Sequence, residues 1–419
     1  MSETQTTAPT NKKLNAEWAT TLFGTAVGAG ILFLPISAGS FGFIPLLVAT
    51  ILIFPMTYLA HRAFSWVISY APLHGEDVLV VLTYFFGRRN GIILAIIYWF
   101  TIFPVVLIYG VSITNTVDSF IVNQLDGPEI PRWILAPICV GLMTLGLAFG
   151  NKIMLAIAQF VIYPLIIALA VVSIYLIPRW DIASFMEAGD HSFGGILKAI
   201  ILILPVLVFS FSYVAAISQF SLGMEQEYGP DHQHESNKVI RNATLMLALF
   251  TMFFVWSSAL ALGADGMREA NDLNLPVLSY FANETGTPFM AYMAPIVVIC
   301  AVASSYFGHA LGTVEGTQYL FNLAAPKAKE KMTERQLDLW TYLFIFITTS
   351  LVGIFNPSIL DMISVVGGIF FAFLTYLLPM YVIHKVEVFR RFRGRPTNYF
   401  VTIMGFIVLF ATIWDILGG

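Results

Sequence analysis

The sequence predicts an all-α integral membrane protein of eleven transmembrane helices, built as two related halves of five helices plus one extra. Three observations predict it. The 419 residues are 58% hydrophobic and only 11% charged, whereas a soluble domain is about a quarter charged. Apolar segments recur near 18–36, 43–69, 91–123, 132–150, 153–177, 196–221, 240–263, 290–322, 338–355, 359–384 and 398–417, most near the roughly 20 residues that a spanning helix needs. The first and sixth segments, five helices apart, both carry residues that interrupt a helix, and paired interruptions of this kind point to an inverted-repeat transporter.

The composition also excludes. With 21 Lys and Arg and 25 Asp and Glu, a soluble enzyme, a nucleic-acid binder or a disordered regulator could not cover its surface. Short alternating strands are not seen, so a membrane β-barrel fits poorly. Helices are the remaining way to satisfy backbone groups in lipid. Net charge is −4 and carries no message about an anionic partner. The polar opening MSETQTTAPTNKKLNAEW lacks the apolar core of a cleavable signal. Residues 1–16 therefore read as a tail and 17–419 as a single transmembrane domain, with helices 1–5 over about 18–177, helices 6–10 over about 196–384 and helix 11 over about 398–417. Cys139 and Cys300 lie inside apolar stretches and read as small core residues.

Orientation follows from Lys and Arg. If the N-terminus is cytoplasmic, 17 of the 21 basic residues fall on the cytoplasmic side, and Arg132, Arg179, Lys198 and Arg268 fall on the other. That bias is the positive-inside pattern. Eleven helices then place the C-terminus in the periplasm.

Segment 1 reads GTAVGAGILFLP over residues 24–35. Each glycine costs about 1 kcal/mol against alanine in a helix interior, and three of them followed by a proline make a weak helix. Unwinding exposes main-chain groups, which at membrane depth must face a cavity, protein or solute. Close helix packing is the other use of such small residues. Segment 6, LPVLVFSFSYVAAISQF over 204–220, places a proline, three serines and a glutamine at the same depth and favours the break. Half-helix N-termini suit a carboxylate, and freed carbonyls suit an ammonium or cation. Together they suit a zwitterionic amino acid. In segment 8, His309 and Glu315 are ionisable residues at membrane depth, which cost roughly 2.5–3.5 kcal/mol on insertion scales. Both are candidates for a proton relay, with packing and an end-of-helix ion pair as the alternatives. Asp118 reads as an interfacial or capping residue, and Asp361, after Asn356-Pro357-Ser358, reads as the start of helix 10. The segment DHQHE at 231–235 looks metal-like but reads as a solvated loop. No Walker loop, HExxH or nucleophile elbow is present, and no enzyme activity or cofactor is expected.

GTAVGAGILFLP, ITNT at 113–116, VFSF at 208–211, EQEYG at 225–229, FGHALGTVEG at 307–316, NPSILDMI at 356–363 and LPMYVIHKV at 378–386 resemble the bacterial hydroxy/aromatic amino acid permease family over nearly the whole chain, most closely its serine/threonine branch. The resemblance implies the amino acid–polyamine–organocation superfamily, the leucine-transporter-type fold, the bacterial inner membrane, a monomer as the working unit, and cation-coupled import of a small neutral amino acid by alternating access, the family's own coupling ion being the proton. Helices 1, 2, 6 and 7 would rock against 3, 4, 8 and 9. Carried over by position, Thr25, Ala26, Ala29 and Gly30 on helix 1, with Phe209, Ser210 and Ser212 on helix 6, hold the substrate backbone, and Tyr213 shapes the side-chain pocket. N–H groups at Ala29 and Gly30 would take the carboxylate; carbonyls at Thr25 and Phe209 would take the ammonium.

The chain departs from the serine/threonine branch in two places. An Asn-His-Ser-Pro run is replaced by Ser212-Tyr213-Val214-Ala215, and a lysine is replaced by Ser304. The second departure resembles sodium-coupled relatives, and implies a sodium site from the carbonyls of Gly24, Val27 and Ala301 and the hydroxyls of Ser304 and Ser305. The coupling ion is H+ or Na+. An aromatic or other neutral amino acid as substrate, or a sensor that binds without transport, remain as alternatives.

Overall fold

The computed structural model describes residues 11–73, 78–147, 151–229, 232–284 and 286–418, with only the main chain for Ala29 and 151–159. Every regular element among them is helical: α1 (Lys12–Ala26), α2 (Ala29–Gly39), α3 (Phe43–Ser69), α4 (Val78–Asn123), α5 (Arg132–Leu147), α6 (Asn151–Leu176), α7 (Ile182–Glu187), α8 (Phe193–Ser210), α9 (Val214–Tyr228), α10 (Gln233–Asp272), α11 (Val277–Glu284), α12 (Pro288–Ala324), α13 (Pro326–Lys329), α14 (Glu334–Phe355), α15 (Ile359–Val365), α16 (Leu378–Lys385) and α17 (Pro396–Ile416). A π-helical stretch, Val366–Leu377, joins α15 to α16, so Ile359–Lys385 is one continuous span.

Nine described helices are long and apolar enough to cross a membrane, and the bent pair α1–α2 makes a tenth. The shorter α5 accounts for predicted segment 4, whose last residues, 148–150, lie outside the described ones. The eleven predicted segments are thus each helical, and the protein is a multi-pass membrane protein. Two long helices are kinked where glycine takes a positive φ, Gly87 at 77° in α4 and Gly263 at 70° in α10. Their spanning parts begin and end there, close to the predicted boundaries.

Two groups of helices form the body. α1, α2, α3, α8, α9 and α10 pack on one another, and α4, α5, α12 and α14 pack as a second group. α6 bridges them, touching α10 and α12. The first group holds predicted helices 1, 2, 6 and 7, and the second holds predicted helices 3, 4, 8 and 9.

Some connections differ from expectation. Residues 223–239 read as a loop, yet α9 runs to Tyr228 and α10 starts at Gln233. In the 231–235 segment, Asp231 lies outside the described residues. His232 is not solvated: it is buried, stacks on Tyr70 with ring centroids 5.0 Å apart, and its Nδ1 lies 3.0 Å from Ser236 Oγ. Helix α14 begins four residues early because Thr333 and Gln336 form a reciprocal capping box, which satisfies two otherwise orphaned N–H groups.

Candidate functional site

The two interruptions are real breaks, and they meet. The Val27 N–H bonds back to Phe23, Gly28 is extended at φ −141° and ψ −164°, and α2 leaves at 62° to α1. The next described main-chain bond runs from Ile31 N–H to the Gly28 carbonyl at 3.1 Å. Hence the last carbonyls of α1 and the first N–H groups of α2, at Ala29 and Gly30, have no intrahelical partners. In segment 6, α8 ends at Ser210 and α9 begins at Val214, with Phe211–Tyr213 unwound between them.

Gly30 and Ser210 join the breaks. The Ser210 hydroxyl donates to the Gly30 carbonyl at 3.0 Å. A Cβ on Gly30 would lie 2.9 Å from Phe209 Cε1 and 3.3 Å from the Ser210 Cα, so only glycine permits this approach without a shift. Phe209 is buried and meets Phe371 of the π-helical stretch edge-on at 5.6 Å. Two helix N-termini and two helix C-termini therefore converge at one depth, each carrying roughly half a charge of dipole.

The remaining predicted substrate residues divide. Ala26 is buried at the end of α1. Thr25 is exposed, and its hydroxyl is engaged by the Thr21 carbonyl at 2.8 Å. Ser212 sits in the unwound turn, half-buried, its Oγ accepting from Val214 N–H at 3.4 Å. Tyr213 is fully buried, and its hydroxyl lies 2.6 Å from Thr244 Oγ1 on α10.

One residue of this site was not singled out from sequence. His61 on α3 is 2% exposed and stacks on Tyr213 with centroids 3.9 Å apart. Its Nε2 accepts the Tyr213 N–H at 3.2 Å, and its Nδ1 lies 2.9 Å from the Thr57 carbonyl. An accepting Nε2 and a donating Nδ1 define a neutral ring with one tautomer. The signal that would have found it is the one applied to His309: an ionisable residue at membrane depth.

Of the predicted sodium ligands on α12, Ser305 lies against the helix 1 break. A Cβ on Gly28 would collide with Ser305 Oγ, and the Ser305 side chain hydrogen-bonds the Tyr109 hydroxyl of α4. Ser304 is buried and donates to the Ala301 carbonyl at 3.1 Å. Val27 is buried, and Gly24 faces the Ile162 side chain of α6. His309 Nδ1 lies 2.9 Å from the Ser305 carbonyl, and its ring meets Tyr109 edge-on at 5.5 Å. Glu315 is exposed, six residues or about 9 Å further along α12, and it does not join this cluster. Asp118 is half-buried near the end of α4, and Asp361 sits in the first turn of α15, its N–H held by the Ser358 cap at 3.2 Å.

Toward the face opposite the N-terminal end of α1, a cavity of about 780 Å³ opens beside α2 and α8. Ser37, Val206, Asp361 and Arg268 are among its walls.

The tryptophan/tyrosine permease family matches residues 16–415. The chain is 38% identical over 411 residues to the serine transporter SdaC of Escherichia coli strain K12, covering 97% of this chain and 95% of that one. It is 36% identical over 427 residues to the threonine/serine transporter TdcC of Yersinia enterocolitica, covering 97% and 96%. The crystal structure of MhsT in complex with L-phenylalanine superposes with a TM-score of 0.58 at 15% identity, covering 97% and 98%, which shows a shared leucine-transporter-type fold. With its two broken helices, its five-plus-five arrangement and this match over nearly its full length, the chain belongs to the tryptophan/tyrosine permease family, a family of transporters and not of enzymes.

Proposed function

We propose that the protein is a secondary active importer of a small neutral amino acid such as serine or threonine, coupled to a cation and working by alternating access. The observation that carries the reading is the meeting of the two helix breaks at Gly30 and Ser210. There, N–H groups at Ala29 and Gly30 face a carboxylate, and carbonyls at Thr25 and Phe209 face an ammonium. Within this reading the substrate is small rather than aromatic. The names of the SdaC and TdcC relatives agree with that choice.

In this reading Ala26, Ser212 and Tyr213 complete the substrate site, Tyr213 as a fixed wall whose hydroxyl is already partnered. The N-terminus faces the cytoplasm of a bacterial inner membrane, the C-terminus faces the periplasm, and the monomer is the working unit. The excess of basic residues on one side supports that orientation.

For coupling, Ser304 and Ser305 with the carbonyls of Gly24, Val27 and Ala301 offer five neutral oxygens to sodium. The approach of Ser305 to Gly28 supports this reading. The second reading, proton coupling, rests on His309, whose ring touches both the Ser305 carbonyl and Tyr109. One positive charge entering with substrate across 100 mV supplies about 2.3 kcal/mol, roughly fifty-fold accumulation.

The test is uptake of radiolabelled serine into liposomes holding the purified protein, with saturation and acceleration by serine on the far side. Sodium is replaced by choline in one arm, and the pH gradient is collapsed in another. Binding without uptake in any arm makes the protein a sensor and defeats the proposal. Stimulation by sodium that is lost in Ser304→Ala and Ser305→Ala selects the first coupling reading. Dependence on pH alone selects the second.

A further inference from the structure

On the face where α3 ends and α17 begins, three arginines interleave with aromatic rings. The Arg62 guanidinium lies 5.1 Å from the Tyr58 ring and 4.6 Å from Trp66. Arg391 lies 4.0 Å from Tyr70 and 4.8 Å from Phe392. Arg395 lies 4.8 Å from Trp66 and 5.2 Å from Phe392. Trp66 and Phe392 are themselves stacked at 4.6 Å and buried. The rings hold three like charges in one place, although such charges repel.

Their neighbours are differently arranged. Arg390 and Arg393 both pair with Glu387. Among the described residues, no carboxylate forms an ion pair with Arg62, Arg391 or Arg395. Arg62 has one hydrogen bond, from Nη2 to Thr397 Oγ1 at 3.2 Å, and its buried Nε has none. Burial first, then the charges of Arg62 and Arg391, pull the Arg395 guanidinium below its ordinary basicity. Stacking occupies the faces of a guanidinium and leaves its in-plane N–H donors for an oxyanion, which it grips in bidentate fashion. A groove of about 420 Å³ adjoins, lined by Tyr70, Glu225, His232 and Arg391 among others.

The location decides which anion. Arg395 is the residue before the first turn of α17, where that apolar span starts. Tyr381 and Tyr399, 56% and 60% exposed, stand on the neighbouring helix ends, and exposed aromatics of this kind mark the headgroup level. We propose that Arg62, Arg391 and Arg395 form a binding site for the phosphate of an anionic phospholipid headgroup. The lipid would neutralise the cluster and tie the end of α3, in the bundle that carries the broken helices, to the start of α17.

The test uses the purified full-length protein in neutral detergent, titrated with phosphatidylglycerol, phosphatidylcholine or inorganic phosphate. Thermal unfolding and native mass spectrometry are the readouts. Phosphatidylglycerol is expected to remain bound and to raise the melting temperature, while the other two do not. Each guanidinium removed should weaken phosphatidylglycerol binding about fivefold, from the roughly 1 kcal/mol that a basic residue contributes at a membrane surface. R391Q/R395Q should therefore lose about 25-fold. Its readout is the lipid-dependent increment, which a purely structural role for the stacked rings would leave in place. Because Arg391 is exposed, single R391Q keeps the test open if the double variant fails to fold. Equal binding of phosphatidylcholine, equal protection by inorganic phosphate, or unchanged phosphatidylglycerol binding in the variants overturns the proposal.

Discussion

The Ser210 hydroxyl donates a 3.0 Å hydrogen bond to the main-chain carbonyl of Gly30, across 180 residues of chain. Both groups are buried, and each belongs to a different interrupted helix. The bond therefore reports the distance between the two breaks, and anything that separates them must break it.

Ser210→Ala removes the donor that ties the two breaks together, while the Gly30 carbonyl keeps its place in the main-chain ladder of α2, a loss of about 0.5–1.5 kcal/mol. If the breaks form the substrate site, serine affinity measured by scintillation proximity should fall at least about fivefold, with the protein still folded by size-exclusion chromatography. Unchanged affinity would place the substrate elsewhere.

Gly28 and Ser305 offer a paired test of the helix 1 break. A Cβ at Gly28 strikes the Ser305 hydroxyl oxygen, whereas Ser305 Cβ would be 3.4 Å away. Gly28→Ala should thus cost about 1–3 kcal/mol by overpacking, seen as a lower melting temperature. Adding Ser305→Ala removes the obstructing atom and should recover most of that loss. A double variant as unstable as Gly28→Ala would show that the strain arises in the main chain.

His61 fixes the other break. His61→Phe keeps a ring against Tyr213 but leaves the Tyr213 N–H and the Thr57 carbonyl unpartnered by a side chain. The expected destabilisation is about 1–3 kcal/mol, from the orphaned buried N–H. His61→Gln supplies an acceptor and should lie between the two in thermal unfolding. Equal stability of all three would remove His61 from the account of why residues 211–213 stay unwound.

The breaks were legible in sequence because their causes are local: three glycines and a proline in one segment, a proline and serines in the other. His61 carried a signal, a histidine at membrane depth, but not its role, which is created by a partner 152 residues away. The sodium reading had the same limit in reverse, since two adjacent serines name a hydroxyl pair but not the glycine that Ser305 approaches. Hydropathy marked the spans well and their ends poorly. It measures lipid contact, and α9 and α10 continue as polar helices past the apolar stretch, so residues 223–239 read as loop. The arginine–aromatic cluster was visible only as charge on one face, because its rings come from α3 and from the chain before α17.

The ITNT and NPSILDMI motifs turn out to meet. Asn115 Nδ2 donates to the Asn274 carbonyl at 2.8 Å and to Asn356 Oδ1 at 3.0 Å, and Asn274 Nδ2 donates to the same Oδ1 at 2.9 Å. Arg132 Nη2 donates to Asn115 Oδ1 and to the Gly353 carbonyl, at 2.8 and 2.7 Å. Asn274 Oδ1 receives the Ile359 N–H at 2.8 Å, which opens helix 10. Asn274 and Asn356 both have positive φ, 54° and 51°, a region that asparagine tolerates better than most residues. The knot joins α4, α5, the end of α14 and the connection before α11, so its members should act as a unit. Asn356→Ala loses the shared acceptor and adds backbone strain; Asn356→Gly loses the acceptor alone and should be the milder change. Asn115→Ala with Asn356→Ala should cost clearly less than the two separate losses added together, with a coupling of about 0.5–3 kcal/mol between groups in one network. Additive losses in a double-mutant cycle, read by thermal unfolding, would reduce the knot to independent contacts.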